Sequence, residues 1–91
     1  MKPNLWSEFS VVKRSKERFA VLRLLREPKT PTDVKRETRM HMSNVSRTIK
    51  GLAKRGLVRC LTPNEKRGRY YLATKKGREV LDKLEPPKKV F

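Results

Sequence analysis

Residues 43–58 read SNVSRTIKGLAKRGLV and carry the most regular hydrophobic pattern in the chain. On a helical wheel, apolar side chains form one narrow stripe of about 60°. Its members are Val45, Ile49 and Leu52, with Ala53 beside them. The spacing predicts a helix over residues 42–55 that turns this stripe toward a core.

Polar and cationic side chains occupy the rest of this predicted helix. Three cations lie opposite the apolar stripe: Arg47, Lys50 and Lys54. Small hydrogen-bonding residues crowd the first turn: Ser43, Asn44 and Ser46. A helix fits the major groove of B-DNA, where base edges present donors and acceptors to such side chains. These six residues are therefore candidate DNA contacts; a helix cap at Ser43 and solvated cations are the alternatives.

One glycine lies within the predicted helix and another follows it. Gly51 lies on its outer side and lowers the helix propensity by about 1 kcal/mol relative to Ala. Its missing side chain allows close approach either to the DNA backbone or to another helix, and both interpretations stay open. Gly56 follows as a C-terminal cap, after Lys54 and Arg55, which complement the helix dipole.

The residues before this helix predict a shorter helix and a tight connection. Thr30 can cap this helix, Pro31 suits its first position, and Asp33 can reach back to the free N–H groups. The shorter helix ends near Thr38, and residues 39–41 connect it to the next one.

Further helical stretches are predicted near the N-terminus, over residues 4–13 and 16–26. Ser15 is a candidate N-cap for the second stretch. A single long, bent helix through Val11 and Lys13 is an alternative that the pattern leaves open.

After Gly56 the pattern indicates a hairpin followed by a helix. Strands are predicted over residues 57–62 and 69–73, on either side of a turn-rich loop at residues 63–68. A last helix is predicted over residues 75–84. Together these elements give a small α+β domain.

The whole chain of 91 residues is predicted to be one domain, residues 1–91. Residues 1–14 are expected to be a helical extension. Residues 85–91, which include Pro86 and Pro87, are expected to be a mobile tail.

Charge is distributed unevenly along the chain. Lys and Arg total 25 against 9 Asp and Glu, which gives a formal net charge of +16. Residues 39–78 hold 12 basic side chains and one acidic side chain, Glu65, a net charge of +11. A one-sided surface of this kind attracts polyanions, so nucleic acid is the predicted partner, with a solvated face as the alternative.

Composition argues against several classes of protein. Cys60 is the only cysteine and His41 the only histidine, so neither an intramolecular disulfide nor a zinc site is predicted. No nucleophile–base set accompanies the histidine, and neither enzymatic activity nor a cofactor is expected. The longest apolar run, residues 19–22, is far short of the roughly 20 residues of a membrane span. We expect a cytoplasmic protein with no membrane segment and no small-molecule effector.

The loop between the predicted strands forms a cationic tip around Gly68. Its cations are Lys66, Arg67 and Arg69. A narrow minor groove concentrates negative potential and attracts inserted arginine. Phosphate contact is the simpler alternative, and it gives position without sequence information.

Residues 43–58 resemble the recognition helix of winged helix-turn-helix regulators of the MarR/ArsR type, in particular small archaeal members. Residues 60–63 and 68–77 resemble the wing of these proteins and the entry to their last helix. The resemblance covers residues 15–84. It implies an α+β winged helix-turn-helix fold with a three-helix core, a two-stranded wing and terminal helices.

The chain departs from the family pattern at two positions in the helix–helix turn. Arg39 stands where the family usually has glycine, and His41 stands where it usually has a small capping residue. The metal-binding cysteine motif of the arsenic-sensing members is missing, so metal sensing is not implied.

The resemblance implies a sequence-specific regulator that binds double-stranded DNA. Residues 42–55 would lie in the major groove, and a wing over residues 62–69 on the flanking backbone or minor groove. Contacts with the DNA backbone are expected at Thr30, Thr32 and His41. A non-specific nucleic-acid-binding protein, architectural or RNA-binding, is the alternative that the same net charge would serve.

The resemblance also implies a homodimer formed through the terminal helices. Candidate interface residues are apolar: Leu5, Trp6, Phe9, Val12, Val80, Leu81 and Leu84. The alternative is that these side chains close the core of a single chain, since a small chain needs every apolar residue that it has.

Overall fold

The computed structural model describes residues 5–66 and 68–84. Its elements follow in the order α1 (Leu5–Lys13), α2 (Lys16–Leu24), α3 (Pro31–Thr38), α4 (Met42–Lys54), β1 (Val58–Cys60), β2 (Tyr71–Ala73) and α5 (Lys75–Leu84). This arrangement confirms the predicted α+β winged helix-turn-helix fold. The predicted mobile tail and the wing residue Arg67 lie outside the described residues.

Side-chain caps fix the N-terminal ends of α2 and α3, as predicted. The Ser15 hydroxyl accepts a hydrogen bond from the Arg18 amide at 3.2 Å. At α3, Thr30 and Asp33 form a reciprocal capping box in which each side chain accepts from the other's amide at 3.1 Å. The hydrogen bond from the Thr30 amide is the largest cause of the lowered pKa of Asp33. The carboxylate of the cap therefore stays ionised into more acidic solution than an ordinary Asp.

The turn between α3 and α4 depends on a left-handed residue. Arg39 has a φ of 61°, and its amide donates to the Lys35 carbonyl at 2.8 Å. Glycine adopts this conformation most readily, which fits the glycine that the family pattern implies at this position. His41 is the N-cap of α4 but makes no side-chain cap hydrogen bond. The alternative in which Ser43 caps the helix is therefore wrong.

The sheet is shorter than predicted, because each of its two strands has only three residues. The strands pair antiparallel, with Cys60 opposite Tyr71. Beyond this pair, the Tyr70 amide donates to the Thr62 hydroxyl at 3.0 Å, which ends the regular ladder. On the other edge, Lys29 and Tyr71 exchange two backbone hydrogen bonds at 3.1 and 2.9 Å. These bonds tie the connection between α2 and α3 to the base of the wing.

The predicted apolar stripe of α4 lies in the core. Val45, Ile49 and Leu52 are at most 2% exposed. Ala53, predicted beside them, is exposed, because it lies at the edge of the stripe, about 40° beyond Ile49. The stripe therefore fixes which side of α4 faces outward.

The same core also takes up three of the residues predicted for a dimer interface. Val12 of α1 and Val80 and Leu81 of α5 are fully buried within the single chain. For these residues the alternative holds: they close the core of one chain, because α1 and α5 pack on each other and α2 packs on both. Among the other candidates, Phe9 and Leu84 are half-buried, and the side chains of Leu5 and Trp6 lie outside the described part.

Candidate nucleic-acid interface

The outer face of α4 carries three exposed cations: Arg47, Lys50 and Lys54. Within residues 5–66 and 68–84, no group offers their side chains a hydrogen bond or an ion pair. The first turn of α4 contains no acidic residue. A helix held by its buried side thus presents a row of free positive charge.

The polar residues at the start of α4 surround this row. Ser43 is exposed and lies on the same side as the cations, whereas Asn44 and Ser46 are half-buried on its two flanks. His41, the N-cap, is exposed just before them. The structure therefore groups these candidates with the cations at one surface.

The described wing cations lie beside the first turn of α3. Lys66 and Arg69 are exposed, and Arg69 Nε donates to the Glu65 carbonyl at 2.6 Å. Both residues line one groove with Thr30 and Thr32. Two of the predicted backbone contacts are thus brought next to two of the predicted wing contacts.

Sequence reasoning missed a basic face on α3. Lys35, Arg36 and Arg39 line a second groove that begins at Thr32. Only Arg36 among them has an acidic partner in the described ranges, Asp33, at 3.9 Å. Counted from Thr32, these three residues stand at positions i+3, i+4 and i+7, which lie on one helix face. This spacing is the sequence signal that could have found them.

A hydrogen-bonded junction holds the C-terminal end of α4. Arg55 Nη1 lies 3.3 Å from Oε1 of Glu8 on α1, whose side chain is only 5% exposed. Lys76 Nζ of α5 donates to the Arg55 carbonyl at 3.0 Å. The Thr74 hydroxyl donates to the Gly56 carbonyl at 2.6 Å. Both terminal helices therefore fix the direction in which α4 leaves the core.

Neither a metal site nor a membrane span is found in residues 5–66 and 68–84. They contain no group of His, Cys, Asp and Glu side chains that could hold a metal ion. None of their helices has the length and apolar character needed to cross a membrane. Cys60 is half-buried at the end of β1, the strand position predicted for it.

The family model for the HVO_A0261 N-terminal domain matches residues 6–89. The chain belongs to this family. The matched range includes every helix and strand of the fold except the first residue of α1. None of the curated proteins matches this chain.

Solved structures similar to this chain include MarR-family transcription regulators, as the resemblance predicted. A mutant of MarR from E. coli in complex with operator DNA has a TM-score of 0.70 at 26% identity, covering 87% of this chain and 59% of that one. A MarR-family transcriptional regulator from Silicibacter pomeroyi has a TM-score of 0.71 at 26% identity, covering 90% and 57%. The adhesin competence repressor from Streptococcus pyogenes shares the fold, with a TM-score of 0.69 at 19% identity, covering 77% and 53%. The chain spans less than two thirds of the length of each of these proteins.

Replacing Arg55 with Ala is expected to lower the free energy of unfolding by about 1–3 kcal/mol, because the buried Glu8 carboxylate loses its charged partner. In a Glu8→Gln background, the same Arg55→Ala substitution should cost less by about 0.5 kcal/mol or more. Urea unfolding of the four proteins in this double-mutant cycle measures the difference. Strictly additive effects would contradict the junction.

Proposed function

We propose that this protein is a sequence-specific DNA-binding transcription regulator that inserts α4 into the major groove. The observation that carries the proposal is the outer face of α4. Its free cations stand next to short hydrogen-bonding side chains on a helix whose rotation is fixed by the core. Arg and Lys donate to guanine, and Asn pairs with adenine, so this set can both hold phosphates and read bases.

Two independent features support the proposal. The net charge of +16 supplies the attraction to a polyanion that any DNA-binding protein needs. A MarR mutant of similar fold was solved in complex with operator DNA. Both features are consistent with a protein that acts by binding alone and has no enzymatic activity.

The wing has a different role in this proposal. Lys66, Arg69 and, by its sequence position, Arg67 contact the flanking phosphates or the minor groove. The groove that joins the described wing cations to Thr30 and Thr32 offers one continuous surface for a DNA strand. These contacts place the domain on the duplex and leave the choice of sequence to α4.

A homodimer is part of the proposal. Phe9 and Leu84 of the predicted interface are half-buried in the single chain and retain surface for a partner. Two copies related by a twofold axis would read two half-sites of a palindrome.

Selection from a pool of random DNA duplexes tests the function directly. The wild-type protein is expected to enrich a palindromic site at physiological salt. Arg47→Ala combined with Lys50→Ala should lose this enrichment and bind the recovered site at least about tenfold more weakly, because each good base contact contributes about 1–3 kcal/mol. Arg78→Ala combined with Lys83→Ala removes the same charge from α5 and serves as the matched control.

The selection also has outcomes that contradict the proposal. Equal recovery of all sequences would favour a non-specific nucleic-acid-binding protein. Equal losses in the α4 variant and the α5 control would mean that net charge, rather than the face of α4, determines binding.

Neutralising the wing should change how salt affects affinity. Lys66→Ala combined with Arg69→Ala is expected to weaken binding to all duplexes by a similar factor. It should also reduce the slope of log K against log salt by about 0.9 for each phosphate that the wing no longer neutralises. Titrations over a salt series measure the slope, with the α5 variant again as the charge-matched control. An unchanged slope would remove the wing from the interface.

A further inference from the structure

Gly51 lies on the outer side of α4, and no packing contact within the described residues requires glycine there. In a helix interior, glycine is less favourable than alanine. Apart from its chain neighbours and the nearby backbone of α4, no atom of the described residues would lie within 4 Å of a Cβ atom at Gly51, whereas one at Gly77 would meet the Leu57 carbonyl. No second helix therefore needs the small residue at Gly51. The absent side chain leaves room for a molecule outside the chain.

The space beside Gly51 is a polar pocket of about 340 Å³ between α4 and the start of α2. Four residues of α4 line it with the i, i+3, i+4, i+7 spacing of one helix face: Asn44, Arg47, Thr48 and Gly51. From the start of α2 it is lined by Ser15, Glu17 and Arg18. The pocket thus lies directly beside the row of cations on α4.

Two hydrogen-bonding side chains of this pocket lack partners within the part of the chain that the structure describes. Asn44 and Thr48 are half-buried, yet neither side chain makes a hydrogen bond within residues 5–66 and 68–84. Arg18 donates to the Val11 carbonyl at 3.3 Å through Nη1 alone, which leaves its other N–H groups available. Amide, hydroxyl and guanidinium donors around a gap form a set that suits a phosphate group.

On the basis of the function proposed above, we propose that this pocket holds a phosphate of the DNA backbone that passes beside Gly51. Arg18 supplies a cation from α2, which belongs neither to the α3–α4 pair nor to the wing. Asn44 and Thr48 supply neutral donors. Glu17 is the one carboxylate among the described residues that line the pocket, and it is exposed. Its negative charge repels anions, so the phosphate must be held away from Glu17. Glycine at position 51 makes α4 less stable than alanine would, but it lets the DNA backbone approach the helix closely.

Substitutions at Gly51 separate stability from binding. Gly51→Ala should raise Tm by about 3–8 °C, because alanine favours the helix and meets no obstacle. Gly51→Gln should weaken binding to a short random-sequence DNA duplex by about tenfold, because the side chain fills the space of the phosphate. Ala53→Gln adds the same bulk to an exposed position on the opposite flank of α4 and should bind like the wild type. Equal losses at positions 51 and 53 would overturn the proposal.

The charge of Arg18 is tested by the salt dependence of binding. Arg18→Gln should reduce the slope of log K against log salt by about 0.9, the value for one phosphate that is no longer neutralised. Arg23→Gln removes the same charge from the other end of α2, away from the pocket, and should leave the slope unchanged. Equal slopes for the two variants would overturn the role of Arg18.

Calorimetric titration with inorganic phosphate distinguishes the two sources of a phosphate group. No binding of free phosphate supports the DNA backbone as the occupant, whereas binding that Arg18→Gln abolishes would make the pocket a small-anion site and overturn the proposal. Failure of the wild type to bind any duplex would refute the proposed function itself. Wild-type binding that Gly51→Gln leaves unchanged would refute only the phosphate pocket.

Discussion

Burial of the apolar stripe on α4 determines how the whole domain is arranged. Val45, Ile49 and Leu52 leave at most 2% of their surface exposed. Successive residues differ by 100° around a helix, so a rotation of one residue would bring a cation toward the core. Burying an unpaired charge costs several kcal/mol. Hydrophobic burial therefore determines that the cationic side of α4 faces solvent.

The two ends of α4 are held by contacts of different kinds. At the N-terminal end, the left-handed Arg39 sets the angle of entry from α3. At the C-terminal end, the Arg55 guanidinium donates to Glu8 of α1, and Lys76 of α5 donates to the Arg55 carbonyl. The terminal helices, for which the family resemblance implied dimer formation, thus support the proposed DNA-binding helix. They do so while burying Val12 and Val80 in the common core.

Local features of this fold were predictable from the sequence, and contacts between distant segments were not. The capping box of α3 and the periodicity of α4 depend on residues within one helical turn of each other, so both appear in the sequence. The pairing of Lys29 with Tyr71 joins segments 42 residues apart and leaves no local pattern. For the same reason, Arg18 was not recognised as part of the candidate site: only folding brings α2 against Gly51. The assignment of site residues on α4 and the wing stays a prediction.

Amide NMR spectra recorded during titration with a short DNA duplex would show whether α4 is the DNA-binding helix, because each backbone N–H reports its own surroundings. We predict that the largest shift changes occur on the outer side of α4, around Arg47, Lys50 and Gly51. Smaller changes are expected at the wing residues Lys66 and Arg69, and little change along the outer side of α5. The largest changes on α5, with α4 unaffected, would contradict the assignment of α4 to the interface.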